Sequence, residues 1–205
     1  VKGLLGKAAP SLCYNETIFY SRERDGMDAQ KIIERAVDDR YREELIGLSR
    51  KIWELAEVGY EETRSAETLC EALEHHGFTV TRHLVDIPTA FKGVWGKGRP
   101  VVGILGEYDA LPGLSQEAGC PVKKPEHEGC PGHGCGHNLL GTGALAGALA
   151  LKDYLEETGK PGTVVYFGTP AEENLSGKAF MARDGAFAGV DFFLTWHPAP
   201  ENRTA

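Results

Sequence analysis

The stretch VVGILGEYDALP, residues 101–112, joins a short apolar run to two acidic residues, and it indicates the kind of fold. Short, continuously apolar runs are typical of strands that are buried on both faces of a sheet. A second such run, Val164–Gly168, and a third, Val190–Trp196, follow further along the chain. Helical patterns lie before and between these runs. Alternating helices and buried strands predict an α/β fold with α/β/α layers and a mostly parallel or mixed sheet.

Hydrophobic periodicity and turn residues give the predicted elements. We expect at least four strands, helices on both faces, and the three buried strands as neighbours. Asn138 is predicted to cap the long helix that follows it. Residues 1–26 show no clear period and are interpreted as an N-terminal extension. The predicted helices are Asp28–Glu57, Glu61–His76, Asn138–Thr158 and Ala179–Phe187, and the strands are Phe78–Leu84, Ala90–Trp95, Val101–Gly106, Val164–Gly168 and Val190–Trp196.

Composition excludes several classes of partner. The formal net charge is −8 and no basic patch is present, so neither nucleic acid nor an anionic membrane surface is an expected partner. No apolar stretch is long enough to span a bilayer. Five irregularly spaced cysteines argue against a disulfide framework and for a reducing compartment, which predicts a cytoplasmic location. Glycine, at 26 of 205 residues, is unusually frequent, and its density around 132–147 predicts close backbone approach.

Polar residues with catalytic potential come directly after the three buried strands. In open α/β sheets, ligands bind at the carboxyl ends of the strands, so these side chains are expected at one edge. A further group, His133, Cys135 and His137, precedes the long helix, whose N-terminus favours a thiolate at Cys135. Paired glutamates suit metal-assisted hydrolysis, because one can bind metal while its neighbour holds a proton. The residues after the strands are Glu107 and Asp109, Glu172 and Glu173, and His197.

Each group also has a simpler interpretation. Cys130, His133, Cys135 and His137 could form a structural zinc site, which would make the chain a non-catalytic, zinc-stabilised α/β module. The paired glutamates could belong to a solvated loop, and His197 could be a surface histidine. Other residues are expected to be inert, although Cys120 and Cys130 are left open. The inert set is His75, His76, His127, Cys13 and Cys70.

The chain contains four notable motifs: GEYDALP (106–112), GHGCGHNL (132–139), TPAEE (169–173) and TWHP (195–198). Together they resemble the metal-dependent amidohydrolases of the aminoacylase and glutamate carboxypeptidase group. The resemblance covers about residues 28–200, and the upstream phrase WELAEVGYEE, residues 53–62, is similar to the N-terminal region of that family. Within the group, the phrases are similar to the branch that cleaves p-aminobenzoyl-glutamate.

This resemblance implies a zinc-peptidase-like catalytic domain that holds two divalent metal ions, zinc or manganese. It implies that Glu172 is the general base and that Asp109 supports the site. The implied substrate is an N-acyl or N-aroyl amino acid, cleaved at its amide bond, and the implied assembly is a homodimer or hetero-oligomer. The implied metal ligands are Cys135, His137, Glu173 and His197.

Two departures from the family pattern leave questions open. Many relatives have His where this chain has Glu107, so Glu107 is either a ligand or a support. Many have Asp where this chain has Asn138. The family also has a further ligand histidine and a dimerisation or lid domain downstream. We therefore expect residues 27–205 to be the N-terminal part of a longer catalytic domain that is inactive alone.

Overall fold

The computed structural model describes residues 29–199 and 201. The predicted extension at 1–26, the helix start at Asp28 and Cys13 lie outside the described residues. The predicted elements are present, several with shifted bounds. The helices are α1 (Ala29–Glu34), α2 (Arg42–Leu55), α3 (Thr63–His75), α4 (His137–Thr158) and α5 (Gly177–Arg183), and the strands are β1 (Thr79–Arg82), β2 (Phe91–Lys97), β3 (Val101–Gly106), β4 (Gly162–Gly168) and β5 (Phe192–Leu194).

The five strands form one mixed sheet in the order β1-β2-β4-β3-β5. Strand β3 pairs in parallel with β4 on one side and with β5 on the other. The hairpin of β1 and β2 is antiparallel, and β2 also runs antiparallel to β4. The prediction that β3, β4 and β5 are neighbours is therefore confirmed, and their carboxyl ends meet at one edge of the sheet.

Helices cover both faces of this sheet, as predicted. On one face α4 lies along β3 and β4, and α1, α2 and α3 pack around it in a continuous apolar core. On the other face, Met181 of α5 packs with Ile87 and Ala186 in a smaller core. The result is a layered α/β domain.

Strand β4 shows how its sequence produces these two layers. Val164 and Tyr166 belong to the core beneath α4, whereas Val165 and Phe167 belong to the smaller core on the opposite face. Successive side chains of a strand point to opposite faces, so a strand covered on both sides is apolar at every position. This explains why the run reads as continuously apolar.

The predicted single helix over 28–57 is interrupted. A π-helical turn, Arg35–Arg40, follows α1, and the Tyr41 N–H donates to the carbonyl of Ala36, five residues earlier. The extra residue lets both Ala36 and Tyr41 face the core. The Tyr41 hydroxyl also donates to Asp153 of α4 at 2.9 Å. Burial of this tyrosine against α4 accounts for the break.

Strand β5 differs from its prediction as a buried strand over Val190–Trp196. It has only three residues, and Phe192, Phe193 and Leu194 are 40–53% exposed. Among the described strands it has one neighbour, β3, so it forms an edge of the sheet. Among the described residues, the predicted burial of this strand is therefore not observed.

Across residues 29–199 and 201, none of the helices combines the length with the apolar character that crossing a lipid bilayer requires.

Candidate metal centre

The candidate centre lies at the carboxyl edge of the three parallel strands. Glu107 and Asp109 follow β3, the pair Glu172–Glu173 follows β4, and His197 follows β5. His137 is the first residue of α4, which lies against β3 and β4. Sheet topology thus brings residues from four separate parts of the chain together, as expected from the strand ends.

His137 is at the middle of this group and is fully buried. Its Nδ1 lies 2.9 Å from Asp109 Oδ1, and on the opposite side of the ring Nε2 lies 3.2 Å from Glu107 Oε2. The Glu172 and Glu173 carboxylates approach the same ring, at 3.7 Å from Nε2 and 3.8 Å from Nδ1. A histidine that donates from Nδ1 to a carboxylate keeps the lone pair of Nε2 for a metal ion.

Cys135 and His197 form the more exposed side of the centre. Cys135 Sγ lies 3.3 Å from His197 Nε2. The Nδ1 atom of His197 lies 2.8 Å from the Pro198 carbonyl, to which it can donate, leaving Nε2 with a lone pair toward the thiol. The His197 and His137 rings meet edge to face at 5.6 Å.

The buried atoms of this centre fit a divalent cation. Glu107 Oε2, His137 Nε2 and Glu173 Oε1 are buried without a hydrogen-bond partner in the described part of the chain. Such atoms are unfavourable unless something pairs with them. Two sets of side chains have ligand atoms within 4.8 Å of one another: Cys135, His137 and His197, and Glu107, His137 and Glu172. Glu173 belongs to neither set, and its Oε1 lies 3.8 Å from Nδ1 of His137. Thiolate, imidazole and carboxylate together suit zinc, and imidazole with carboxylate also admits manganese.

The protonation states follow from the same crowding of acidic groups. Burial alone lowers the pKa of His137, but the Asp109 hydrogen bond and nearby carboxylates outweigh it and raise the pKa above its usual value. Burial raises the pKa of the Cys135 thiol to about 11, and Glu173 adds to the effect. The surroundings of Cys135 therefore favour the thiol, whereas its place at the helix N-terminus was expected to favour the thiolate. A cation is the kind of group that reverses this balance, because a coordinating thiol loses its proton.

Lys178 belongs to the surroundings of the centre, although the sequence did not indicate it. Its ammonium donates to Glu107 Oε1 at 2.6 Å from the first turn of α5. The other oxygen, Oε2, faces His137. Glu107 is thus placed where it can support the centre or bind metal directly. No motif pointed to Lys178, because it follows no strand end.

The alternative structural zinc site does not assemble. Cys130 is exposed, and neither it nor His133 belongs to either set of candidate ligands found in residues 29–199 and 201. His133 Nε2 lies 3.0 Å from the carbonyl of Ile52, and burial lowers the pKa of this histidine to about 4. His133 is therefore a buried residue that bridges the loop to α2.

Asn138 does not cap α4, contrary to prediction. The N-cap residue is Gly136, and the Asn138 side chain, inside the helix, donates to the Ser49 hydroxyl at 3.1 Å. Its role is to join α4 to α2. Burial of this position against α2 takes the amide away from the free N–H groups at the helix start.

The predicted close backbone approach is found at Gly141, in the second turn of α4. A Cβ atom there would lie 2.6 Å from the carbonyl oxygen of Glu107. A larger residue would push α4 away from the loop after β3. Glycine at this position thus brings His137 and Glu107 to the distances given above.

Known proteins share this arrangement of sequence and fold. Residues 103–204 match the family model described as Peptidase family M20/M25/M40. Over these residues, about half of the chain, the sequence has the features of this family. One subunit of the p-aminobenzoyl-glutamate hydrolase of Escherichia coli (strain K12) is 52% identical over 169 residues, which are 81% of this chain and 35% of that protein. The resemblance suggested by the four motifs is confirmed.

Two further comparisons extend this result. The human Xaa-Arg dipeptidase is 35% identical over 181 residues, covering 80% of this chain and 37% of that protein. A Bacillus subtilis structure described as a dinuclear metal binding peptidase from the M20 family aligns with a TM-score of 0.67 at 23% identity, covering 80% of this chain and 45% of that one. The latter supports the fold. The chain spans about a third of the length of these two curated relatives.

Proposed function

We propose that this chain carries most of the active site of a two-metal hydrolase that cleaves the amide bond of an N-acyl or N-aroyl amino acid. The observation that carries the proposal is the buried His137, held by Asp109 at one ring nitrogen and unpartnered at the other. A second imidazole and a thiol lie beside it. Ordered but unpartnered ligand atoms are typical of a site built for a cation.

The proposed ligands are Cys135, His137, Glu173 and His197, and the proposed ions are zinc or manganese. When bound, the two ions would polarise the scissile carbonyl and increase the acidity of a water molecule. Asp109 supports two of the ligands, because one of its oxygens accepts from His137 and the other accepts from the backbone N–H of Glu173 at 2.9 Å. Orientation by such a carboxylate is a common feature of histidine ligands.

Glu172 is the proposed general base. Its carboxylate is partly exposed and lies 3.7 Å from His137, so it faces the centre and remains accessible to water and substrate. Glu172 takes one proton from the attacking water as the water oxygen bonds to the carbonyl carbon. It then gives that proton to the leaving nitrogen as the C–N bond breaks, which releases a carboxylic acid and an amine.

The substrate class is supported by relatives rather than by the geometry of a pocket. The E. coli relative is a p-aminobenzoyl-glutamate hydrolase by name, and the 52% identity makes a similar N-aroyl amino acid the first substrate to test. We propose a homodimer or hetero-oligomer for the complete enzyme, since that relative is named as a subunit. The cytoplasmic location stays a prediction.

We also propose that residues 27–205 are the N-terminal part of a longer catalytic domain. Two ions that each need about four donors need more than four protein ligands, even when some donors are shared or are water. Beyond the four proposed ligands, at least one further donor is then expected, either Glu107 or a residue outside the described residues. Under this proposal the 205-residue chain by itself hydrolyses p-aminobenzoyl-glutamate no faster than the metal alone.

The test is Glu172→Gln, in the longest product of the gene that contains this sequence. Turnover of p-aminobenzoyl-glutamate should fall by roughly 10²–10⁴-fold, the usual contribution of a general acid–base group, while metal content stays unchanged. Glu71→Gln, the same change at an exposed position of α3, should leave turnover at the starting value. Near-normal turnover in Glu172→Gln would contradict the assigned role.

A further inference from the structure

A short turn behind the centre, residues 57–62 (sequence EVGYEE), connects α2 to α3 and contacts both loops that carry catalytic residues. We call it the EVGYEE turn. On one side, the carbonyl of Glu57 accepts from the Ala110 N–H at 2.8 Å, directly after Asp109. Val58 and Ala110 also form an isolated parallel bridge. The turn is thus fixed to the loop after β3.

On its other side the EVGYEE turn contacts the loop after β4, which carries Glu172 and Glu173. Glu62 Oε1 accepts from the Ala171 N–H at 2.7 Å, and the hydroxyls of Tyr60 and Ser176 lie 2.8 Å apart. Contact is close at Gly59, where a Cβ atom would lie 2.0 Å from the Asn174 side-chain oxygen. The three contacts span the loop from Ala171 to Ser176, on both sides of the two glutamates.

Ala171 is the residue that most needs such support. It is fully buried, and its φ of +54° lies in the left-handed region that residues with a side chain rarely adopt. Its N–H would be buried without a partner if Glu62 did not accept it. The next residue in the chain is Glu172, so the conformation at Ala171 determines the direction in which both glutamates leave β4.

Glu62 is itself unusual, because its carboxyl is fully buried. Its second oxygen, Oε2, has no hydrogen bond of normal geometry in the described residues, although the buried Thr89 hydroxyl lies near the carboxyl. Burial raises the pKa of Glu62 to about 7, although the N–H of Ala171 acts in the opposite direction. A carboxyl in this place is unfavourable on its own. Support for the loop that carries Glu172 offers a reason for it.

We propose that Glu62 is a positioning residue: by accepting the Ala171 N–H, it holds the loop after β4 so that Glu172 and Glu173 face His137. The Glu173 N–H donates to Asp109 from the other side, so the two acidic residues hold the loop between them. This inference rests on the proposed function for the meaning of Glu172. Its effect on Glu173 can be tested without any catalytic assay.

The experiment compares two variants of similar length in the longest product of the gene. Glu62→Gln keeps an oxygen that can accept the Ala171 N–H, and Glu62→Met removes it while keeping the volume. Glu62→Gln should retain turnover and zinc affinity. Glu62→Met should lower kcat by up to about 10²-fold, as a misplaced catalytic group does, with little change in KM. It should also weaken zinc binding by roughly 10–100-fold, measured against a competing chelator.

Controls separate positioning from a general loss of structure. Glu61→Met makes the same change at the adjacent exposed position and should behave as wild type. If Glu62→Met does not fold, Glu62→Asp, which draws the acceptor away from Ala171 but keeps a carboxyl group, should fold and show a smaller loss of both kcat and zinc affinity. Equal kcat and equal zinc affinity in the Gln variant and the Met or Asp variant would overturn the proposal.

Failure of this inference can be distinguished from failure of the proposed function. Glu172→Gln, assayed in parallel, tests the function: an inactive Glu172→Gln with a normal Glu62→Met contradicts only the positioning role. If the wild-type protein cleaves none of the amides tested, the zinc titrations still decide whether Glu62 positions Glu173.

Discussion

The buried and the open sides of the candidate centre are built differently. On the buried side, the His137 ring is 0% exposed, and carboxylates lie within 3.8 Å of both ring nitrogens. On the open side, His197 is exposed, and its ring contacts Cys135, His137 and its own neighbour Pro198. Each side supplies one imidazole, His137 or His197. The two sides differ in how many neighbouring groups hold that imidazole in place.

That difference follows from the position of each strand in the sheet. The buried side is attached to β3 and α4, which lie in the middle of the domain with strands or helices on either side. The open side is attached to β5, which among the described residues is a three-residue edge strand with exposed side chains. Central elements orient a ligand through many contacts, whereas an edge strand orients it through few. We therefore expect a pre-oriented ligand on the buried side, such as His137, to contribute more to metal affinity than His197 on the open side.

The largest expected effect is on stability and uses a matched pair of leucines. Leu145 of α4 is fully buried, and Leu194 of β5 is 53% exposed. Leu145→Ala should lower the free energy of unfolding by about 2–5 kcal/mol, the usual range for a core leucine. Leu194→Ala should change it by about 0.5 kcal/mol or less, as at surface sites. Urea unfolding of the 205-residue chain measures both.

Equal losses at the two leucines would mean that β5 is packed in solution by something other than the described residues. The comparison between a central and an edge region would then no longer hold. A small loss at Leu145 would contradict the core assignment itself.

The parts of the fold that follow from local pattern could be predicted from the sequence. Val101–Gly106 was predicted with the observed bounds, because an apolar run ends there at acidic residues. The neighbouring strands β3, β4 and β5 followed from the rule that buried strands alternate with helices. The exposure of β5 did not follow, since periodicity reports the side chains of a strand and not what packs against it. The break before α2 depends on the contact between Tyr41 and Asp153, which are far apart in sequence.

The candidate site shows the same division. Residues directly after strands were found because position along a strand determines the edge at which they lie. Lys178 and Glu62 were missed, because each reaches the centre through a single long-range contact, to Glu107 and to Ala171. Glu62 had one signal, its place in the phrase at 53–62, which resembles the family. That phrase did not indicate a role.

The second prediction compares the two histidines directly. His137→Ala should weaken zinc binding by more than about 100-fold, beyond the 10–100-fold that loss of a supporting residue causes. His197→Ala should weaken it by less than His137→Ala, because much of the affinity of a poorly oriented ligand is lost in ordering it on binding. Zinc titration against a chelator gives both constants. Thermal unfolding of each variant without metal checks that neither change has unfolded the chain.

The reverse order of the two histidines would contradict the comparison. It would show that the open side holds the metal more firmly, and that exposure of His197 in the described residues does not reflect its contribution to binding.

The smallest expected effect concerns Asp109, which joins His137 to the loop of Glu173 within the buried side. Its Oδ1 accepts from His137 and its Oδ2 accepts from the Glu173 N–H, so two donors share one buried carboxylate. In Asp109→Asn, only one side-chain oxygen remains, and the new NH₂ group faces a donor. Either the His137 ring loses its orientation or the loop with Glu173 does. Zinc affinity should fall by roughly 10–100-fold, less than in His137→Ala, because both ligands are still present.

Asp184→Asn makes the same change at an ion pair with Arg183, outside the centre, and should leave zinc affinity unchanged. An unchanged affinity in Asp109→Asn would mean that His137 is oriented by its burial alone. The contrast between the two sides would then rest on packing rather than on the carboxylate.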